Sequence, residues 1–262
     1  FLYMKKMGMQ AVDLAIQNFE SLVLIWLGLG FITFITLLKI PAPYGKFSKK
    51  NWGPMIPSQV GWIVMEIISP LALLYFFLNG NIEKTPTNII FISLWTLHYF
   101  NRSVIYPLRQ NNPAQMPLLI AVLAFLFNVM NGYINGTYFG SIQEYSAEYM
   151  SNWNFILGVC LFIIGAYINI KSDNILLSLR SKSGEYKIPE GFMFRYVSFP
   201  NYLGEILEWM AFALMTWSLA GLSFMIWTMA NLVPRAIKGH QWYHDKFESY
   251  PKNRKAIFPF II

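Results

Sequence analysis

Charge is scarce in this chain: Lys, Arg, Asp and Glu together make up 13% of its 262 residues. An ordinary soluble domain carries about one-quarter charged residues, so a water-facing shell around a single core does not describe the whole protein. Cysteine is nearly absent. The lone Cys160 excludes an intramolecular disulfide and any multi-cysteine metal site, and its place in an apolar run predicts a buried, inert thiol. Histidine is almost as rare. His240 and His244 stand one helical turn apart without a third ligand in the nearby sequence, so no zinc site is expected. There is no P-loop and no HExxH. Gly28-Leu29-Gly30 lacks the third glycine and the preceding strand of a dinucleotide fingerprint. Gly/Ser-rich linkers, low-complexity tracts and internal repeats are also missing, which predicts one domain over residues 1–262.

What is abundant is apolar sequence. Hydrophobic residues reach 55% and aromatic ones 18%, with nine Trp, a composition suited to rings anchored at membrane interfaces. A bilayer-spanning helix needs about 20 mostly apolar residues. Seven stretches qualify, at roughly 18–38, 57–79, 87–108, 115–134, 153–173, 197–217 and 220–238. The first is too long, and too poor in small residues after it, to be expected as a cleaved signal. Lys and Arg set the orientation. Lys39, Lys46, Lys49 and Lys50 follow the first span, Arg102 and Arg109 end the third, and two further basic groups follow the fifth and the seventh. In a seven-span arrangement 17 of the 20 basic residues fall on one side, which makes that side cytosolic. The expectation is an all-α integral membrane protein, a seven-transmembrane-helix bundle with its N-terminus outside and its C-terminus in the cytosol. The net charge of +7 then reflects topology and calls for no nucleic acid.

Ionisable residues inside a span are costly and point to function. Glu66 lies about 13 Å below the cytosolic face, counted from Pro57 at 1.5 Å per residue, and Tyr99, counted back from Leu108, lands at the same depth. The two can therefore meet. Trp62 is one turn before Glu66 on the same face. Asn201, Glu205 and Glu208 form one stripe at i, i+4 and i+7, and Asn169 and Asp173 are likewise one turn apart. All these groups share the cytosolic half of the expected bundle, which implies a cavity open to the cytosol and closed on the far side. Each has a plainer reading as well: a structural carboxyl at Glu66 or Glu208, an interface anchor at Tyr99, helix-packing amides at Asn201, or a basic surface around Arg235, His240 and Tyr243.

Several segments, taken in order, resemble the steroid 5α-reductase family (3-oxo-5α-steroid 4-dehydrogenases), close to its animal members. They are Pro-Tyr-Gly-Lys at 43–46, Trp62 with Glu66, and Leu-His-Tyr-Phe-Asn-Arg at 97–102. Ile-Asn-Ile-Lys-Ser-Asp at 168–173, Tyr-Lys-Ile-Pro at 186–189 and Asn-Tyr-Leu-Gly-Glu-Ile-Leu-Glu-Trp at 201–209 follow. Pro-Arg-Ala at 234–236, His240, Trp242-Tyr243 and Tyr-Pro-Lys-Asn-Arg-Lys-Ala at 250–256 complete the set. The resemblance implies an enzyme that reduces the Δ4 double bond of 3-oxo-Δ4-steroids with NADPH, taking the steroid from the bilayer. It implies that Glu66 and Tyr99 hold the 3-keto oxygen and that Trp62 lines the substrate pocket. It places Lys46, Asn169, Asp173, Arg180, Tyr186, Asn201, Glu205, Arg235, His240 and Tyr243 at cofactor-contacting positions. Lys171 and Lys238 stand where animal relatives often carry His, and Asn101 stands within the His-Arg element. The residues leave other readings open: a reductase of another lipid enone or enoyl substrate, a membrane methyltransferase, or a lipid-binding protein. The membrane itself, bacterial inner membrane or endoplasmic reticulum, depends on the host.

Overall fold

A computed structural model describes residues 2–48, 50–110, 114–179 and 186–262, with side chains in the first helix from Leu14 onward and without the side chain of Lys50. Arg180, expected at the cofactor, lies outside the described residues.

Among the described residues the long helices are α1 (Leu2–Lys39), α2 (Ser58–Leu78), α3 (Pro86–Phe100), α4 (Leu118–Thr137), α5 (Trp153–Leu179), α6 (Pro200–Thr216) and α7 (Leu219–Lys246). Their starts follow local chemistry. Pro86 and Pro200 occupy first-turn positions, where the missing N–H costs nothing. The Thr85 and Ser218 hydroxyls accept from the backbone N–H groups of Asn88 and Gly221 and so cap α3 and α7. Trp217 stops α6 in a left-handed conformation, φ 46°. Helix α3 runs on through a π-helical turn at Asn101–Ile105. One short antiparallel pair, β1 (Met55–Pro57) with β2 (Gln115–Pro117), fixes the starts of α2 and α4 side by side, in the register Ile56 opposite Met116.

Four of these helices, α1, α2, α4 with its π-helical extension, and α5, contain segments long and apolar enough to cross a membrane. Large apolar side chains face outward in bulk, among them Leu24, Ile25, Phe31, Leu71, Leu97, Leu126 and Ile163. That is the inverse of a water-soluble surface and fits a lipid-facing one. Cys160 also faces outward, which corrects the expectation of a buried thiol. Helix α5 presents its outer face there, beside exposed Ile156, Leu157 and Ile163, so an apolar run around a cysteine marked the lipid side and not the core.

The helices pair through small residues. On α4 and its π-helical extension, Gly132, Gly136 and Gly140 repeat every four residues and lie against α2. A Cβ at Gly136 would meet the Leu73 carbonyl oxygen at 2.6 Å, and one at Gly132 the Leu73 N at 2.8 Å. Helices α5 and α6 meet the same way at Gly165 and Gly204, each with the other's carbonyl oxygen 2.7 Å from where its Cβ would be. In lipid, close backbone approach replaces the hydrophobic drive as the source of packing energy. An aromatic cluster fills the centre, with Trp95, Trp209, Phe212, Phe91 and Phe139 fully buried.

Hydrogen bonds sort the helix ends into two sets. At one end Tyr145 Oη donates to the Thr216 carbonyl, Thr87 to that of Ser146, and the Ile82 N–H to that of Gly140. At the other, β1 and β2 meet, Gln59 donates to the Pro107 carbonyl, and Arg235 reaches the loop at Ala42 and Tyr44. Successive helices from α2 to α7 thus run in alternating directions. The buried ionisable groups cluster toward the second end, whereas the buried polar groups deeper in α4 and at the first end, such as Asn131, Asn135, Asn88 and Asn154, are neutral amides.

Candidate functional site

The second end holds three linked polar groups of residues. The first surrounds Glu66, half-buried on α2. Asn128 of α4 donates its Nδ2–H to the Met65 carbonyl at 2.7 Å and accepts from the Tyr99 hydroxyl of α3 at 3.2 Å. Glu66 lies beside this amide and within electrostatic reach of Arg102, Glu205 and His98. Glu66 and Tyr99, expected at one depth, thus both lie beside Asn128, which was not among the expected site residues.

The second group is built on Arg102, in the π-helical turn that continues α3. Its guanidinium contacts Asp173 Oδ2 of α5 at 3.2 Å and Glu205 Oε2 of α6 at 3.7 Å. It also lies over the Trp62 and Tyr106 rings, at 5.4 and 5.2 Å from their centroids. The π-helical turn inserts extra backbone into the helix and redirects the residues after Tyr99, a distortion found most often at functional sites. Asp173 takes a further bond from Asn201 Nδ2 at 3.1 Å, and the Asn201 carbonyl accepts from Asn169 at 2.9 Å. Asn169, Asp173, Asn201 and Glu205 thus converge as the two i, i+4 pairs predict. Asn201 Oδ1 is buried without a partner among the described residues. A buried amide oxygen that makes no bond costs free energy, so this atom is left open to a hydrogen-bond donor. The stripe on α6 ends at Glu208, fully buried, with His98 Nδ1 2.8 Å from its Oε2. A crevice of about 220 Å³ opens beside that pair between α3, α5 and α6, lined by Leu94, Leu97, Asn101, Phe162, Ile163 and Asn169 among others.

The third group is cationic. Arg235 of α7 donates to the Tyr202 hydroxyl at 3.0 Å and to the carbonyl of Tyr44 at 3.2 Å, and its guanidinium lies 3.5 Å from the Tyr44 ring centroid. Lys46 sits in a cage of Phe199, Trp242 and Tyr243, with its Nζ 4.6, 4.7 and 4.4 Å from their ring centroids, and contacts the Gly239 carbonyl oxygen at 3.4 Å. Neither cation has a carboxylate in an ion pair among the described residues. Burial, and secondarily repulsion from Arg235, lowers the Lys46 ammonium to a pKa of about 7. Two unpaired cations in an aromatic recess fit an anionic ligand. His240 bonds Ser198 at 2.6 Å and touches His244 at 3.2 Å, and Tyr186 lies edge-on to Trp242.

Four residues that matter here were not among the expected site residues: Asn128, Arg102, His98 and Tyr44. Asn128 had a legible signal, as the first of three asparagines (128, 131, 135) spaced along one face of an otherwise apolar span. Arg102 was absorbed into the count of basic residues that set orientation.

Residues 114–262 match the family described as 3-oxo-5-alpha-steroid 4-dehydrogenase. The steroid 5-alpha-reductase DET2 of Solanum lycopersicum is 44% identical over 93% of this chain and 96% of its own length. This chain belongs to the steroid 5α-reductase family. The 3-oxo-5-alpha-steroid 4-dehydrogenase 1 of Rattus norvegicus is 37% identical over 89% of this chain and 92% of its own. The DET2 reductase of Arabidopsis thaliana is 42% identical over 87% and 91%. Steroid 5α-reductases are oxidoreductases, and so is this family member.

Proposed function

We propose that this protein is a seven-span membrane enzyme that reduces the Δ4 double bond of 3-oxo-Δ4-steroids to the 5α product with NADPH. The observation that carries this reading is the placement of Glu66 and Tyr99, on α2 and α3, beside the same Asn128 amide. In this reading the end bearing Lys46 and Arg235 faces the cytosol, and the C-terminus lies on that side. The steroid enters from the bilayer, and Trp62 forms part of its pocket wall.

The chain's own residues divide the work. Lys46 and Arg235 hold the phosphates of the dinucleotide, while Tyr186, His240 and Tyr243 frame that recess. Asn201 offers its free amide oxygen to a donor on the ligand, and Asn169, Asp173 and Glu205 hold Asn201 and Arg102 in place. A reduced nicotinamide bound there would supply hydride to C5 of the steroid, and the enolate so formed would take its proton at C4 from water. Glu66, protonated, and Tyr99 donate hydrogen bonds to the 3-keto oxygen and stabilise the negative charge that develops on it. Donors already aimed at the site of developing charge in a dry environment are typically worth about 3–4 kcal/mol each. The test is conversion of progesterone or testosterone to the 5α product by the purified protein. Product formed with NADPH and not without it supports the proposal, and its absence with every 3-oxo-Δ4-steroid tried overturns it.

The cationic recess makes two further predictions. Activity with NADPH is expected to exceed that with NADH, and Arg235→Ala is expected to weaken NADPH binding by about tenfold or more, since a bidentate phosphate contact is lost. Direct titration of each cofactor into wild type and variant reads both. The Lys46 prediction concerns pH. In the free protein its pKa is about 7, and a bound phosphate favours the ammonium and raises that value. Between the free and bound values, binding therefore takes up a proton, so affinity is expected to fall as pH rises from 7 toward 9. Lys46→Met should abolish this slope. A wild-type affinity that stays flat over that interval would remove Lys46 from cofactor binding.

A further inference from the structure

Asn128 is 3% exposed and has both ends of its amide engaged. The two ends differ: Nδ2 only donates and Oδ1 only accepts. The 2.7 Å contact to the Met65 carbonyl is with another acceptor, so Nδ2 must make it. That choice fixes Oδ1 toward the Tyr99 hydroxyl, 3.2 Å away, and the phenol is then the donor. Met65 immediately precedes Glu66, so one amide is tied both to the turn of α2 that carries the carboxyl and to the phenol of α3. Helix α4 cannot easily drift from this arrangement. Gly132, one turn beyond Asn128, places the two backbones in contact, with the Ser69 carbonyl oxygen 3.0 Å from where its Cβ would be.

The Tyr99 ring is held too. It stacks on Trp95 at 5.7 Å between centroids and packs against Trp209 at 5.9 Å. The ring is fixed by these aromatics, and the hydroxyl's remaining freedom is rotation about its C–O bond.

We infer that Asn128 is the positioning residue that sets the Tyr99 hydroxyl and the Glu66-bearing turn at one separation. The inference rests on the reading above, in which Tyr99 and Glu66 act on the substrate's ketone. Without substrate, Asn128 Oδ1 receives the single phenolic proton and keeps it from turning toward other acceptors. When the 3-keto oxygen arrives, the O–H rotates onto it while the ring stays in place. No covalent bond is broken: the Tyr99–Asn128 hydrogen bond is exchanged for one to the ketone, and the proton remains on Tyr99 throughout. The gain is preorganisation: the donor does not have to be found and ordered at the moment charge develops.

The experiment is a double-mutant cycle on steroid turnover at saturating NADPH, using Asn128→Leu, which keeps the side-chain volume, together with Tyr99→Phe and the double variant. Asn128→Leu is expected to lower kcat about tenfold, the loss of one aligned hydrogen bond, with KM not raised and NADPH affinity unchanged. In the Tyr99→Phe background the same substitution is expected to cost nothing more, because the hydroxyl it positions is gone. Asn128→Ala, run in the same cycle, is held to the same outcomes should the leucine not fold. Equal fold-losses of kcat in both backgrounds, or unchanged turnover of Asn128→Leu, overturn the inference while leaving the role of Tyr99 intact. Full activity of Tyr99→Phe overturns the reading beneath it as well.

Discussion

Replacing Glu66 by leucine is expected to lower turnover by about 10²–10³-fold, the usual cost of removing one preorganised donor from an oxyanion site, while NADPH affinity stays as it was. The separation of the two effects follows from the architecture. Glu66 stands on α2 beside Asn128 and Tyr99, whereas the cations assigned to the phosphates, Lys46 and Arg235, lie on the loop after α1 and on α7. Glu66→Gln keeps an N–H donor of similar reach and is expected to lose less than Glu66→Leu. The order matters more than either value. A purely structural carboxyl would give a gradation in thermal stability that tracks the loss of activity. A catalytic one gives a gradation in kcat at nearly constant stability. Single-turnover assays with cofactor pre-bound separate the two, and a Glu66→Leu protein that reduces steroid at the wild-type rate would sink the assignment.

Much of this arrangement was legible before any coordinates. The paired depths of Glu66 and Tyr99 came from counting 1.5 Å per residue inward from each span's end, and those residues do lie around one amide. The i, i+4 spacings at 169/173 and 201/205 placed four polar groups on two helix faces, and those faces meet at Gly165 and Gly204. What periodicity did not show was which partner each group takes. Glu208 read as the third member of the α6 stripe, yet it pairs with His98 on α3, a residue with no helical spacing that marks it. Arg102 read as a topology signal because a cation at a span's cytosolic end ordinarily snorkels to the surface. The π-helical turn at Asn101–Ile105 turns it inward instead. A local change of helical pitch leaves no trace in a hydrophobicity pattern, so its consequence for Arg102 had to be seen.

Arg102→Met is expected to be the most damaging change to stability in the site. The side chain is a buried cation shared by two carboxylates, Asp173 on α5 and Glu205 on α6. Removing one partner from a buried ion pair typically costs about 3–5 kcal/mol, most of it the burden of leaving a charge unpaired in a poorly hydrated place. Here two carboxylates are left, with side chains 5% and 16% exposed, so the better buried Asp173 bears the larger share. The loss should appear as a lower midpoint of thermal unfolding in detergent, and as weakened NADPH binding, because Asp173 also holds Asn201 in place. Arg102→Lys should recover little. A single ammonium has neither the planar fork that reaches two carboxylates on different helices nor the flat face that lies against Trp62 and Tyr106. Neutralising the partners should help more: Arg102→Met combined with Asp173→Asn and Glu205→Gln removes the unpaired charges and is expected to unfold at a higher temperature than Arg102→Met alone. Cofactor binding should stay weak in that triple variant, since Asn in place of Asp173 no longer offers Asn201 a charged acceptor. If the triple variant is no more stable than the single one, the damage lies in lost packing against the aromatic rings and not in stranded charge.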